Sequence, residues 1–270
     1  MLKLFLVTCL GCLLALMARS QMYRLGGEYI LTDADHDQAM VSKTVSAPQK
    51  QVSVLFVGNS LTFVNDMPAM LANIASSDPA NPVSLQIKAF TYPSAALDYM
   101  YAHTGALAYA QQHHVDVVVL QEHSGWYNGA GNLQNAEQSA AQWRDTVRAL
   151  GQTPVLFEDW GDGAGSANLA GRTPAEEAAA AISNTEGLGY RMNLEVVPVG
   201  AAFERARTTS DSPDLYQADR HHPSPAGSYL AAMVFYRYFT GRSGEGATYR
   251  PLGMSAADAK ALIHDAAPTG

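Results

Sequence analysis

Five short apolar runs recur along the chain and predict buried β-strands. Each run is rich in β-branched residues and is bounded by turn-forming residues, as expected of strands that are covered on both faces. No hairpin turn joins one run to the next. The predicted strands are residues 52–57, 83–90, 116–120, 154–158 and 194–199.

Segments of helical composition lie between and after these runs, at residues 66–75, 94–112, 135–150, 173–187 and 226–239. Thr173-Pro174-Ala175-Glu176 is a capping box with proline at the first helical position, and Gly241 is placed to end the last of these helices. Ser255 caps one further short helix. Because strands and helices alternate, we predict an α/β fold with a mainly parallel five-stranded sheet covered on both faces.

The length of 270 residues and the hydrophobic share of 47% are compatible with one large domain. Neither an internal repeat nor a second hydrophobic core is evident in the pattern. We therefore predict a single domain over residues 52–270, preceded by a polar linker at 21–51.

The first twenty residues have the features of a secretory signal peptide. Lys3 gives a basic start, residues 4–18 are almost entirely apolar, and the Ser20/Gln21 bond follows small residues. An uncleaved membrane anchor and a lipoprotein attached at Cys12 are alternatives, but a span needs about 20 apolar residues. We expect cleavage, no stable membrane span afterwards, and a secreted or periplasmic location.

Composition narrows the possible partners. Cys9 and Cys12 both lie in the predicted signal, so the exported chain would contain no disulfide. Loss of Lys3 and Arg19 would leave 15 basic against 25 acidic residues, a formal net charge of −10. An acidic chain without a basic stripe is not expected to bind nucleic acid.

Two motifs far apart in the sequence supply the parts of serine ester chemistry. Ser60 follows the first predicted strand in Gly58-Asn59-Ser60, where the carboxyl end of a parallel strand opens into a crevice. Asp219 and His222 are three residues apart, so the carboxylate can hold the imidazole as a general base. An ordinary strand-to-helix loop and an Asp–His pair at a helix start are the alternatives. His221 is treated as a flanking residue.

These motifs resemble those of the SGNH (GDSL-like) hydrolases, whose first block carries Gly-Asp/Asn-Ser and whose last carries Asp-x-x-His-Pro. The resemblance covers about residues 52–241. It implies a flavodoxin-like, three-layer α/β/α fold and an esterase that needs no cofactor. It also implies the roles of nucleophile for Ser60, base for His222 and orienting acid for Asp219.

The middle blocks depart from the family pattern. Where the family has an oxyanion glycine, this chain reads Thr91-Tyr92-Pro93-Ser94, so the Ser94 N–H is the candidate donor beside that of Ser60. The usual Gly-x-Asn-Asp block is replaced by Leu120-Gln121-Glu122-His123, as in one branch of the family. Gln121 is the candidate for the third oxyanion donor, and His123 is the second choice.

Other residues are weaker candidates. Asn59, Trp126 and Trp160 follow strands and are possible substrate contacts, although packing explains a loop tryptophan equally well. The glycine-rich loop at 161–165 is predicted to form a rim of the site. His113 and His114 have no third ligand nearby in the pattern, so we predict no metal site.

The predicted function is hydrolysis of carboxylic esters in small molecules or polysaccharides, with short acyl groups such as acetyl on carbohydrate preferred. Two alternatives remain open at this stage. One is a carbohydrate-binding protein that lacks catalysis, and the other is an acyltransferase that uses the same three residues.

Overall fold

The computed structural model of the protein describes residues 50–127 and 133–267, without the side chains of 126 and 127. The predicted signal peptide and residues 21–49 of the predicted linker lie outside these ranges, so both stay predictions. The first strand begins at Lys50, two residues earlier than its apolar run indicates.

All five predicted strands form one parallel sheet. The strand order is β2-β1-β3-β4-β5, which is the flavodoxin-like order. The strands are β1 (Lys50–Gly58), β2 (Val83–Thr91), β3 (Val117–Leu120), β4 (Thr153–Phe157) and β5 (Glu195–Val197).

Helices cover both faces of the sheet. Along the described chain they are α1 (Ser60–Phe63), α2 (Met67–Ser77), α3 (Leu97–His103), α4 (Ala106–Gln112), α5 (Ser124–Tyr127), α6 (Leu133–Ala149), α7 (Pro174–Met192), α8 (Val199–Thr208), α9 (Pro225–Thr240) and α10 (Ala256–Asp265). The predicted capping box of Thr173 and Glu176 is present at the start of α7. Short 3-10 turns occupy Val64–Asp66 and Ala167–Leu169.

The alternating residues of β1 point into the two halves of the domain's core, one on each face of the sheet. Val54 and Phe56 face a core built with α2, α8, α9 and α10, while Leu55 and Val57 face a second core built with α3, α4, α6 and part of α7. Both sets are buried, which explains why β1 reads as a continuous apolar run. The predicted three-layer α/β/α fold is confirmed.

Two helical predictions need correction. The segment 94–112 is two helices, because the chain turns at Thr104 and Gly105, where the Thr104 hydroxyl donates to the carbonyl of Met100 (2.7 Å). Helix α8 was not predicted, since Pro198 and Gly200 weaken the helical pattern at its start. A side chain at Gly200 would collide with the Asp159 carbonyl, 2.1 Å from an added Cβ.

Among residues 50–127 and 133–267, none of the helices combines the length and apolar character that a bilayer crossing requires.

Candidate active site

The candidate nucleophile lies at the carboxyl edge of the sheet, where β1 ends beside β3. The strand order reverses between these two strands, and such a switch point opens a crevice for ligands. Ser60 is the first residue of α1. Asn59 caps that helix by accepting from the Leu61 N–H (3.1 Å), and its side-chain amide donates to the Ala95 carbonyl (2.9 Å). These two hydrogen bonds fix the turn that carries Ser60.

Side chains from opposite ends of the domain meet here. His222 Nε2 lies 2.9 Å from Ser60 Oγ, and His222 Nδ1 lies 2.6 Å from Asp219 Oδ2. Partial burial opposes ionisation of Asp219. Hydrogen bonds from the His222 ring and from the N–H groups of His221 and His222 outweigh it, and they lower the pKa of Asp219 to about 2. The acid is therefore a carboxylate at neutral pH, as the orienting partner of a histidine base must be.

The turn that carries the base is held at both ends. Asp219 Oδ1 accepts from the N–H groups of His221 (3.1 Å) and His222 (3.0 Å). The Gln217 N–H donates to the His222 carbonyl (2.8 Å), and Ser224 then caps α9. The imidazole orientation is thus determined by packed structure on each side of the turn.

Ser60 and His222 face a cavity of about 400 Å³. A second cavity of about 320 Å³ adjoins it and is more apolar, with Tyr92, Pro93, Ala95, Ala96 and Tyr99 in its wall. Ser94 and His123 belong to the walls of both. Room for the two parts of an ester therefore exists on either side of these two residues.

Comparisons with known proteins point to one family. No protein-family model and no curated protein matches the chain in sequence. A solved protein from Slackia heliotrinireducens, described as an SGNH hydrolase, is 29% identical, with a TM-score of 0.58 over 70% of this chain and 100% of its own. These structural matches support an SGNH/GDSL-like hydrolase family for the chain.

Two further solved structures share the SGNH fold. A lipase/acylhydrolase from Enterococcus faecalis is 14% identical, with a TM-score of 0.53 over 71% of this chain and 96% of its own. An acetyl xylan esterase is 14% identical, with a TM-score of 0.50 over 69% and 99%. Identities this low show the fold alone. Together with the Slackia protein, these neighbours support the predicted enzyme class, a hydrolase of carboxylic esters.

Gln121 holds the nucleophile turn, a structural role that differs from the oxyanion donor that the sequence predicts. Gln121 Oε1 accepts from the Asn59 N–H (2.8 Å) and the Thr62 hydroxyl (3.1 Å), and Nε2 donates to the Glu122 carbonyl. The residue is 1% exposed and is not part of the wall of either cavity. A β-carbon at Gly58 would lie 2.7 Å from Gln121 Oε1, so the glycine of the first block makes room for this amide.

Glu122 holds the other side of the site. Its Oε1 accepts from the N–H groups of Leu97 (3.0 Å) and His123 (2.7 Å), and Oε2 accepts from the Ser139 hydroxyl (3.0 Å). The carboxyl group thus ties the start of α3 to the backbone of His123. The Gln-Glu pair that replaces the usual third block positions the residues around the cavities.

Ser94 has the backbone conformation that the family's oxyanion glycine would favour. Its φ of 55° lies in the left-handed region, which glycine adopts more readily than residues that carry a side chain. The Ala95 N–H closes the turn onto the Tyr92 carbonyl (3.1 Å), and Ser94 is exposed at the cavity. This location suits the predicted role of its N–H.

His123, the second choice from the sequence, has the geometry of a hydrogen-bond donor. Its Nδ1 accepts from the Gly125 N–H (3.0 Å), and a neutral imidazole whose Nδ1 accepts carries its proton on Nε2. Burial and then the charge of His221 lower the pKa of His123, which favours the neutral ring.

A second His–Asp pair at the cavity was missed in the sequence. His221 Nδ1 lies 2.6 Å from Asp162 Oδ1, and both residues belong to the cavity wall. Asp162 lies in the glycine-rich loop after β4, which agrees with a position at the rim of the site. No short-range spacing indicates the pair, because 59 residues separate its members.

The remaining weak candidates have structural surroundings of their own. Trp160 is 3% exposed, stacks on Phe203 with 4.3 Å between ring centroids, and donates to the His221 carbonyl (3.3 Å). Packing therefore accounts for Trp160, and its substrate contact stays a prediction. Asn59 lies in the cavity wall, but its amide braces the turn. The Trp126 side chain lies outside the described part of the structure.

Within residues 50–127 and 133–267, His, Cys, Asp and Glu side chains form no group of three or more that could hold a metal ion.

Proposed function

We propose that the protein is a serine esterase that removes short acyl groups from carbohydrate. One observation carries the proposal: an unbroken line of hydrogen bonds from Asp219 through His222 to Ser60 at the wall of an open cavity. The acetyl xylan esterase among the structural neighbours supports the carbohydrate ester as substrate.

In the proposed mechanism each of these residues has one step. With Nδ1–H donating to Asp219, the free Nε2 of His222 takes the Ser60 proton as Oγ attacks the ester carbonyl. His222 then gives that proton to the departing alcohol, which leaves an acyl group on Ser60. Water then attacks the acyl group while His222 takes its proton. His222 returns that proton to Ser60 Oγ, and the carboxylic acid is released.

Three donors would stabilise the oxyanion of each tetrahedral intermediate. The N–H groups of Ser60 and Ser94 are two of them, and we place the Nε2–H of His123 as the third in place of Gln121. Both Ser94 and His123 lie between the two cavities, so the reacting carbonyl would sit between the acyl and alcohol sides. The apolar cavity suits the acyl group.

The direct test is hydrolysis of p-nitrophenyl acetate by the purified protein. We expect Ser60→Ala and His222→Ala to lose activity by about 10³-fold or more. Ser76→Ala, at an exposed serine of α2, is the matched control and should keep wild-type turnover. Equal turnover by Ser60→Ala and wild type would refute the proposal.

We further propose that the protein is exported, on the evidence of Lys3, the apolar segment 4–18 and the Ser20/Gln21 bond. N-terminal sequencing of protein recovered outside the cytoplasm should begin at Gln21. Recovery of an intact N-terminus in the cytoplasm would contradict this.

A further inference from the structure

Part of the wall of the cavity that holds Ser60 is built from polar groups that the esterase mechanism does not use. His221 and Asp162 lie on this wall, 2.6 Å apart, next to Glu177 and Asn168. The rings of His221 and His222 meet edge to face, with 4.9 Å between centroids. The His221 ring therefore lies in the same cavity as Ser60, within reach of a ligand bound there.

The His221–Asp162 pair is firmly positioned. Three hydrogen bonds join the loop after β4 to the segment that carries His221: Trp160 Nε1 to the His221 carbonyl (3.3 Å), the Tyr216 hydroxyl to the Gly161 carbonyl (2.8 Å), and the Gly163 N–H to the Arg220 carbonyl (2.7 Å). The pair is thus held rigidly beside the base, as a recognition site requires.

The charges on this wall restrict what can bind. The side chains of Asp162 and Glu177 are 5% and 1% exposed, and Arg172 pairs with Glu177 (2.8 Å). The hydrogen bond that His221 Nδ1 donates to Asp162 raises the pKa of the imidazole, and in the protonated ring Nε2 is a donor as well. The cavity wall therefore holds a donor, the His221 ring, beside the carboxylate acceptors of Asp162 and Glu177. Hydroxyl groups can both accept and donate here, whereas an apolar alcohol would displace water from these polar groups and offer no hydrogen bond in return.

We propose that His221 and Asp162 form a binding site for the free hydroxyl groups of the alcohol part of the ester, a neutral polyol such as a sugar ring. The carboxylates of Asp162 and Glu177 would repel an anionic alcohol. This inference rests on the proposed esterase activity and adds a specificity determinant to it.

The test compares two acetate esters of one sugar, a methyl xyloside monoacetate with free hydroxyls and the same ester with those hydroxyls methylated. The measured quantity is the ratio of their kcat/KM values, which cancels any change in the chemistry at Ser60. We expect wild type to prefer the free hydroxyls, and His221→Phe and Asp162→Asn each to reduce that preference about tenfold or more, as loss of a hydrogen bond to a charged group does.

His264→Phe is the matched control, since His264 also neighbours an aspartate but is 87% exposed on α10, away from the cavity. It should keep the wild-type ratio. Should His221→Phe fail to fold, His221→Gln and Asp162→Asn keep the test open. An unchanged ratio in folded His221 and Asp162 variants would overturn the inference. If wild type does not hydrolyse p-nitrophenyl acetate, the proposed esterase activity is refuted instead.

Discussion

Glu122 makes the stability of the fold depend on pH. Burial raises the pKa of this carboxyl to about 7 from 4.5, against the opposing hydrogen bonds from His123, Leu97 and Ser139. The folded protein thus binds this proton more tightly than the unfolded chain does. The resulting stabilisation is complete below pH 4.5 and is lost as pH rises through about 7.

The change Glu122→Gln removes this dependence at nearly constant shape. The glutamine Oε1 can still accept from the N–H groups of Leu97 and His123, and its Nε2 can donate to the Ser139 hydroxyl, which has the Asn135 carbonyl (2.9 Å) as its own acceptor. A pKa shift of this size corresponds to about 3 kcal/mol.

Urea unfolding of both proteins from pH 4.5 to about pH 8 measures the effect. We expect the unfolding free energy of Glu122→Gln, relative to wild type, to rise by about 3 kcal/mol over this range. In thermal unfolding this equals roughly 6–12 °C for a domain of this size. Glu245→Gln, a change of the same kind at an exposed glutamate, gives the baseline. A difference that does not change with pH would contradict the raised pKa, because Glu122 would then ionise in the folded protein as it does in the unfolded chain.

Four further changes test the site and the fold. His123→Phe should lower kcat for p-nitrophenyl acetate by about 10²–10³-fold with little change in KM, as loss of one oxyanion donor does, and equal kcat values would remove His123 from the mechanism. Gly125→Ala should also lower kcat, since the new β-carbon would lie 3.1 Å from the His123 ring; wild-type kcat would show that the ring position is unimportant. Gly187→Ala should stabilise α7 by up to about 1 kcal/mol. Gly189→Ala should destabilise it, because its β-carbon would lie 2.5 Å from the Val196 side chain. Urea unfolding in which both changes have the same sign would contradict this packing.

The elements that could be predicted from sequence are those whose patterns are local. β1 and β3 are buried on both faces, so their apolar runs stand out. The Asp219–His222 pair could be predicted because three residues in a turn bring both side chains together, and the nucleophile because Ser60 follows a strand. Their meeting across 162 residues was suggested by the resemblance to a family.

The roles of several site residues depend on long-range contacts, which the sequence pattern does not show. The amide of Gln121 has the chemistry of an oxyanion donor, but its bonds to Asn59 and Thr62 commit it to the nucleophile turn. The partnership of His221 and Asp162 depends on how a loop after β4 packs against a turn near α9. Trp160 follows a strand, as a substrate contact would, but its ring is covered by Phe203.

In the proposed mechanism an imidazole from the far end of the chain activates the Ser60 hydroxyl. Treatment with a fluorophosphonate, followed by mass mapping of the modified peptide, tests it most directly. We predict a single adduct on Ser60 Oγ, formed with loss of fluoride, and at least a 10²-fold slower reaction in His222→Ala. An unmodified Ser60, or an adduct that forms equally fast without the His222 ring, would contradict the account.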